Sequence, residues 1–305
     1  MMNAILKKTT RLTRLLLIVM IVALSACSPQ KEEPLKIIAN SWIGYSPLFY
    51  AKESGWLEPL NIQLSTVISL GESLNIYESA ELDAFTGTQY EFNYTQQKDP
   101  SLMPIIMFDR SNGGDVIMSN QSIIELQNSI HPINAYLEIH SVNQLMLKDF
   151  IQQNDLNDKK FNYINKDQLK IYTLLKEKPP TRPTIVVSYS PYSQKLTELG
   201  LTKIASTQED DGLSLLVVDA LFTPKATFLK HQTQFSQLKI LVDNAIKALE
   251  KDSFEYYQKV KPHLENASYE DFLTSLKGIE WLNTPLTEDQ KKRLNTLQFP
   301  TRNLL

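Results

Sequence analysis

The sequence predicts an α/β protein built as two lobes, and three observations carry that reading. From Leu35 onward, short apolar strand-like runs alternate with helical stretches. Four of the runs lead straight into a helix opened by Ser or Thr, at positions 46, 88, 141 and 190. A length of 305 residues also exceeds what one compact core usually supports. With 42% hydrophobic and 21% charged residues, 9 Gly and 15 Pro, the composition excludes the disordered, collagenous and polytopic membrane classes. A formal net charge of -3 leaves no basic footprint for nucleic acid, and none is expected as a partner.

Positive charge is concentrated at the start. Lys7, Lys8, Arg11 and Arg14 precede Cys27 and no acid does, so removing these four charges from -3 leaves an acidic body of -7. Residues 15–24 read Leu-Leu-Leu-Ile-Val-Met-Ile-Val-Ala-Leu. As a helix they span roughly 15 Å, against a hydrocarbon core of roughly 30 Å. A basic segment followed by so short an apolar one reads as a secretory signal peptide over residues 1–26. Leu24-Ser25-Ala26-Cys27 resembles the bacterial lipobox, which implies that Cys27 is acylated, with palmitate or a similar chain, and becomes the new N-terminus. Each chain contributes ~0.8 kcal/mol per buried CH₂, and several together make anchoring stable. Cys27 is the only cysteine, so the exported body is expected to have no disulfide, thiolate metal site or thiol nucleophile. Residues 27–34, polar and bounded by prolines, read as a lipidated tether. Ser28 in place of Asp goes with the outer membrane in Gram-negative lipoproteins.

In the body, Leu35–Ala39 and Ile62–Ile68 read as strands. Between them Ser46-Pro47 opens a helix that Gly55 closes, with Ser as N-cap and Pro in the first turn. Glu72–Ala80 is helical, Asp83–Phe85 is a short strand, and Gly87-Thr88 leads into a helix reaching Gln96. Met103–Phe108 and Val116–Met118 are strands around the turn Asn112-Gly113-Gly114. A second series follows: strand Ala135–Ile139, a helix from Val142 to Gln153 capped by His140-Ser141, and strand Ile185–Ser188. Ser190-Pro191 repeats the Ser-Pro helix start, with Gly200 closing it. Leu213–Val218 reads as a continuous apolar strand, and the rest from Pro224 is mainly helical, with Leu238, Leu241, Ala245 and Leu249 on one face. Each Ser or Thr helix start turns free N–H groups and a positive dipole end outward from the strand ends, where open α/β sheets hold their ligand crevice.

The segment Asn40-Ser-Trp-Ile-Gly-Tyr-Ser-Pro-Leu-Phe-Tyr-Ala-Lys-Glu-Ser-Gly-Trp-Leu57 resembles the opening of solute-binding proteins of the nitrate/sulfonate/taurine type. Leu82-Asp83-Ala84 with Gly87, Asp109-Arg-Ser-Asn-Gly-Gly-Asp-Val-Ile117, His140-Ser141-Val142 and Ser190-Pro191-Tyr192 extend the resemblance in order along the body. It implies a type II periplasmic-binding-protein fold: two α/β lobes joined by two crossing strands, with ligand held between them by hinge closure. Carried onto this chain, lobe 1 comprises residues 35–117 and 214–305 with the C-terminal helices, and lobe 2 residues 118–213.

The ligand-binding candidates follow by position. They are Trp42, Tyr45 and Ser46 at the first strand end, Gly71 in the loop Leu70-Gly71-Glu72, then Thr86 and Tyr90. Asp109, Ser111 and Asn112 lie at the next strand end, with His140, Ser141 and Asn143 across the cleft. Tyr192 and Asp219 complete the set. Arg110 is the one obvious cation nearby, while Trp42, Tyr45, Tyr90 and Tyr192 offer ring faces and Asp109 and Asp115 negative charge. That mixture suits a planar heterocycle or an amine, although helix N-termini also hold a small anion unaided.

Histidines 131, 140, 231 and 263 are scattered without metal-ligand spacing, and neither a Gly-x-Ser-x-Gly elbow, a phosphate loop nor a dinucleotide fingerprint is present. An enzyme related to this family forms a pyrimidine with a cysteine-rich motif that this body does not contain. No catalytic activity, metal or cofactor is therefore expected. The resemblance implies a monomeric, exported lipoprotein, anchored to the membrane and facing the periplasm, that delivers a small solute to an ABC permease. The alternatives are a sensing lipoprotein that signals to a membrane receptor and a structural lipoprotein with a degenerate cleft.

Overall fold

The computed structural model describes residues 33–208, 211–283, 286–296, 299–302, 304 and 305. The leader and the lipobox with Cys27 lie outside the described residues. Among the described residues no helix is long and apolar enough to cross a membrane.

The first sheet begins with β1 (Leu35–Asn40), followed by α1 (Ser46–Glu53), β2 (Ile62–Val67), α2 (Leu70–Ser79), β3 (Ala84–Thr88), α3 (Gln89–Gln96) and β4 (Leu102–Ser111). The chain then crosses to a second sheet. That sheet holds β5 (Asp115–Ser119), α4 (Ile123–Asn128), β6 (Ile133–Leu137), α5 (Val142–Gln153), β7 (Phe161–Asn165), α6 (Gln168–Glu177), β8 (Thr184–Tyr189), α7 (Tyr192–Glu198) and β9 (Thr202–Ser206). β10 (Val218–Pro224) returns to the first sheet, and the C-terminal helices with β11 (Ile279–Trp281) pack on that lobe. The strand orders are β11-β4-β10-β3-β1-β2 and β7-β6-β8-β5-β9.

Both sheets are covered on two faces, as parallel-rich sheets must be. Ile37, Ala39, Ile105 and Leu221 pack against Phe49, Phe235, Leu238 and Val242, while Phe85, Phe92, Phe222 and Phe299 fill the other side of the first sheet. In the second lobe Ile117, Ala135, Ile185 and Val187 meet Val142, Met146 and Phe150. On its opposite face Val116, Met118 and Val186 meet Ile171, Leu175 and Leu196.

The two connections between the sheets run side by side. Ser111 N–H donates to the Val217 carbonyl at 3.0 Å and Thr207 N–H to the Asp115 carbonyl at 3.1 Å. The Ser111 and Thr207 hydroxyls share a 2.7 Å hydrogen bond. The first crossing falls at Asn112-Gly113-Gly114, ahead of the expected boundary after Ile117, because β5 pairs with β8 and β9 from Asp115 onward. Leu213–Val217 is not a strand: only from Val218 does the chain find partners, on β3 and β4.

Two of the four helix starts differ from expectation. Thr88 and Ser141 cap α3 and α5 through their side chains. Ser46 lies inside α1, because a 3₁₀ turn over Ile43–Tyr45 feeds the helix, and its hydroxyl instead accepts from Tyr256 at 3.1 Å. Ser190 precedes a cis peptide to Pro191, and neither residue makes a side-chain cap for α7.

Candidate functional site

The site is assembled from strand ends. β1, β3 and β4 end, and β10 begins, at one edge of the first sheet; β6 and β8 end, and β5 begins, at the facing edge of the second. Antiparallel register sets Asp219 of β10 directly opposite Asp109 of β4, two like charges side by side. Asp115, the first residue of β5, brings a third carboxyl from the other sheet.

The buried acids here meet hydrogen-bond donors rather than cations. The Trp42 indole Nε1–H donates to Asp109 Oδ1 at 3.2 Å, and the Tyr45 hydroxyl to Asp219 Oδ1 at 2.5 Å. Glu91 accepts at Oε2 from the Thr88 N–H and hydroxyl and at Oε1, across the lobes, from Val142 N–H at 3.1 Å. Tyr189 donates to Glu138 Oε1 at 3.2 Å. Burial pushes Asp109 and Asp219 well above the carboxylate range, and the facing Asp109 charge adds to the rise at Asp219. Burial also raises Glu91, against the donors from Thr88 and Val142, and lifts Asp115 and Glu138 to about 7. Tyr45 and Tyr189 are driven well above their ordinary value, first by burial and then by these neighbouring carboxylates.

The inner cavity is lined by Asn40, Trp42, Leu70, Thr88, Asp115, Val142, Tyr189 and Asp219, and holds about 10 Å³, enough for about one water. The Trp42 and Tyr189 rings meet edge to face at 6.0 Å, one from each lobe. Fully buried Asn40 has no hydrogen-bond partner for either amide atom among the described residues, nor has Asp109 Oδ2. A separate open cavity of about 660 Å³ is lined by Gly71, Glu72, Asn75, Glu138, Lys166, Asp167 and Lys170, among others.

Of the residues expected from sequence, Trp42, Tyr45, Asp109 and Asp219 gather at the center. Gly71 lines the open cavity, and Ser111 and Asn112 belong to the crossing, where Asn112 N–H donates to the Gly278 carbonyl at 2.8 Å. Thr86 is buried in β3, opposite Leu221 of β10. Ser141 caps α5, and Asn143 receives Glu138 N–H and Gln168 Nε2. Tyr192 stands edge-on to Tyr189 at 6.4 Å. Three expected residues lie elsewhere. Ser46 faces Tyr256, Tyr90 lines an outer groove with Gln144 and Phe161, and exposed His140 lies against Tyr94. Arg110 is bound to Glu280 of β11 at 2.6 Å rather than offered to the cleft. Sequence reasoning missed Asn40, Thr88, Glu91, Glu138 and Tyr189. For Glu91 a signal was present, since Thr88-x-x-Glu91 is a capping box, but that motif points to helix capping.

No family model matches the chain, and no curated protein matches it. Solved structures do. The ligand-binding component of an ABC-type import system from Staphylococcus aureus, with zinc bound, superposes with a TM-score of 0.68 at 14% identity, covering 87% of this chain and 91% of that one. The alkanesulfonate-binding protein SsuA from Xanthomonas axonopodis pv. citri, bound to MOPS, gives 0.64 at 12% identity over 90% and 99%. A Candida albicans protein described as having the generic periplasmic binding protein fold gives 0.63 at 15% identity over 87% and 89%. The chain therefore has the periplasmic-binding-protein fold, two α/β lobes with their strand ends turned toward each other, and is similar in structure to solute-binding components of ABC importers.

Proposed function

We propose that this chain is an extracytoplasmic solute-binding lipoprotein that captures a small molecule between its lobes and delivers it to an ABC permease. The observation that carries the reading is the inner cavity, where strand ends of both sheets converge on buried polar groups that lack partners among the described residues. Orphaned amide atoms in such a place cost free energy until water or a ligand satisfies them, and a ligand that displaces the water takes over their hydrogen bonds. The cavity is too small for a solute as it stands, so capture requires the lobes to part about the paired crossings at Ser111–Asp115 and Thr207–Val217 and to close again. Cys27 supplies the anchor that keeps the protein at the membrane, outside the cytoplasm.

Uptake of a bound solute, compared between cells with and without the chain, tests the reading. Uptake that falls in the deletion strain and returns on complementation is expected. Unchanged uptake, with ligand still bound by the purified protein, excludes delivery and leaves sensing. For the anchor, Cys27→Ser is expected to move the protein from the membrane fraction to the soluble one.

A further inference from the structure

Resting on the solute-binding reading above, we infer that the cleft selects a small organic cation, a protonated amine or a cationic nitrogen heterocycle, held by Asp115 and Asp219 against Trp42 and Tyr189. Asp115 of β5 and Asp219 of β10 line the inner cavity, Asp109 of β4 stands opposite Asp219 in register, and among the described residues no Lys, Arg or His lines that cavity. The nearest basic residue along the chain, Arg110, is committed to Glu280. Acids buried without a counter-charge resist ionisation, so a cation beside Asp115 and Asp219 supplies the charge that the cavity lacks.

A second, independent feature points to the same ligand. Asn40 is fully buried at the end of β1, lines the cavity, and leaves both amide atoms unpaired among the described residues. Its Oδ1 is an acceptor for an N–H group of an amine or heterocycle. The edge-to-face corner of Trp42 and Tyr189 supplies aromatic walls that favour a cation once water is excluded. Among the described residues no three His, Cys, Asp or Glu side chains converge as a metal site, so the carboxyls fit hydrogen-bonding donors spread over a molecule better than one metal ion.

The test uses the protein produced from its full-length gene and probes matched in shape but not in charge. These are benzylammonium, benzyl alcohol and benzoate, then butylammonium, butanol and butanesulfonate. Binding is read by thermal unfolding and tryptophan fluorescence. The ammonium member of a series is expected to bind at least tenfold more tightly than its neutral and anionic partners. Asp115→Asn and Asp219→Asn are expected to erase that preference, while Glu78→Gln, in the exposed pair with Lys98, keeps it. A preference for the anion or the neutral probe overturns the cation inference and leaves solute binding standing. If the folded protein binds none of the six, the cation inference falls, and the uptake assay decides the solute-binding reading separately. Should an asparagine variant fail to fold, the charge preference of the unaltered protein still decides between cation and anion.

Discussion

The Tyr45 hydroxyl donates to Asp219 Oδ1 across 2.5 Å, with both side chains buried and 174 positions apart in sequence. This contact joins the turn after β1 to the strand that returns from the second lobe. Tyr45→Phe keeps the ring packed edge-on against Phe108 and removes only the donor. Leaving a buried carboxyl without its partner costs about 1–3 kcal/mol. Urea unfolding of the variant at neutral pH is expected to show a loss of that size.

Stability of the ligand-free protein is expected to fall as pH rises from about 4.5 toward 8. Asp115 and Glu138 titrate near 7 when folded, against ordinary values of 3.8 and 4.5, so between these limits the native state holds more protons than the unfolded chain. With more protons on the native side, raising the pH favours unfolding. Asp109, Asp219 and Glu91 are raised as well and push the same way, while Tyr45 and Tyr189 are neutral in both states over this range and add no slope. The slope, measured by denaturant titration across this range, is expected to weaken in Asp115→Asn. A stability maximum at pH 8 would contradict the buried-carboxyl account.

Strands and the better helix caps were legible because their signals are local. The apolar runs of β1, β4 and β8 and the caps at Thr88 and Ser141 depend on neighbours a few residues away. β7 was not legible: Phe-Asn-Tyr-Ile-Asn lies at a sheet edge, half exposed, and carries no apolar run. Trp42, Tyr45 and Asp109 could be read from strand ends alone. Pairing of Asp109 with Asp219 could not, since it is fixed by the register of strands more than a hundred residues apart. Ser46 misled for a related reason. Its Ser-Pro signature is local, whereas the 3₁₀ turn that draws it into the helix and the hydroxyl of Tyr256 that meets it are tertiary facts.

Gly114 is expected to tolerate no side chain. Its N–H donates to the Gly278 carbonyl at 2.9 Å, and an added Cβ would stand 2.7 Å from the Trp42 ring and 2.8 Å from that same carbonyl. Gly114→Ala must push Trp42 from its place or spread the crossing. Overpacking of this kind costs about 1–3 kcal/mol. The variant is expected to lose that much stability and to show shifted tryptophan fluorescence, while Gly200→Ala, where nothing lies near the added Cβ but φ is +87°, loses stability without the shift.

Glu91 is expected to hold the lobes together. Its Oε2 closes the capping box with Thr88 inside the first lobe, and its Oε1 reaches over to Val142 N–H at the first turn of α5. Glu91→Ala removes both at once and strands the Val142 donor at the interface. Loss of a hydrogen bond to a charged group is worth about 1.5–3 kcal/mol, and every 1.4 kcal/mol shifts an equilibrium about tenfold. If closure rests on this bridge, the variant populates the parted state, seen as a larger radius of gyration by small-angle scattering of the ligand-free protein. Saturating ligand is expected to restore the smaller radius. A radius unchanged in a folded Glu91→Ala would assign the carboxylate to capping α3 alone.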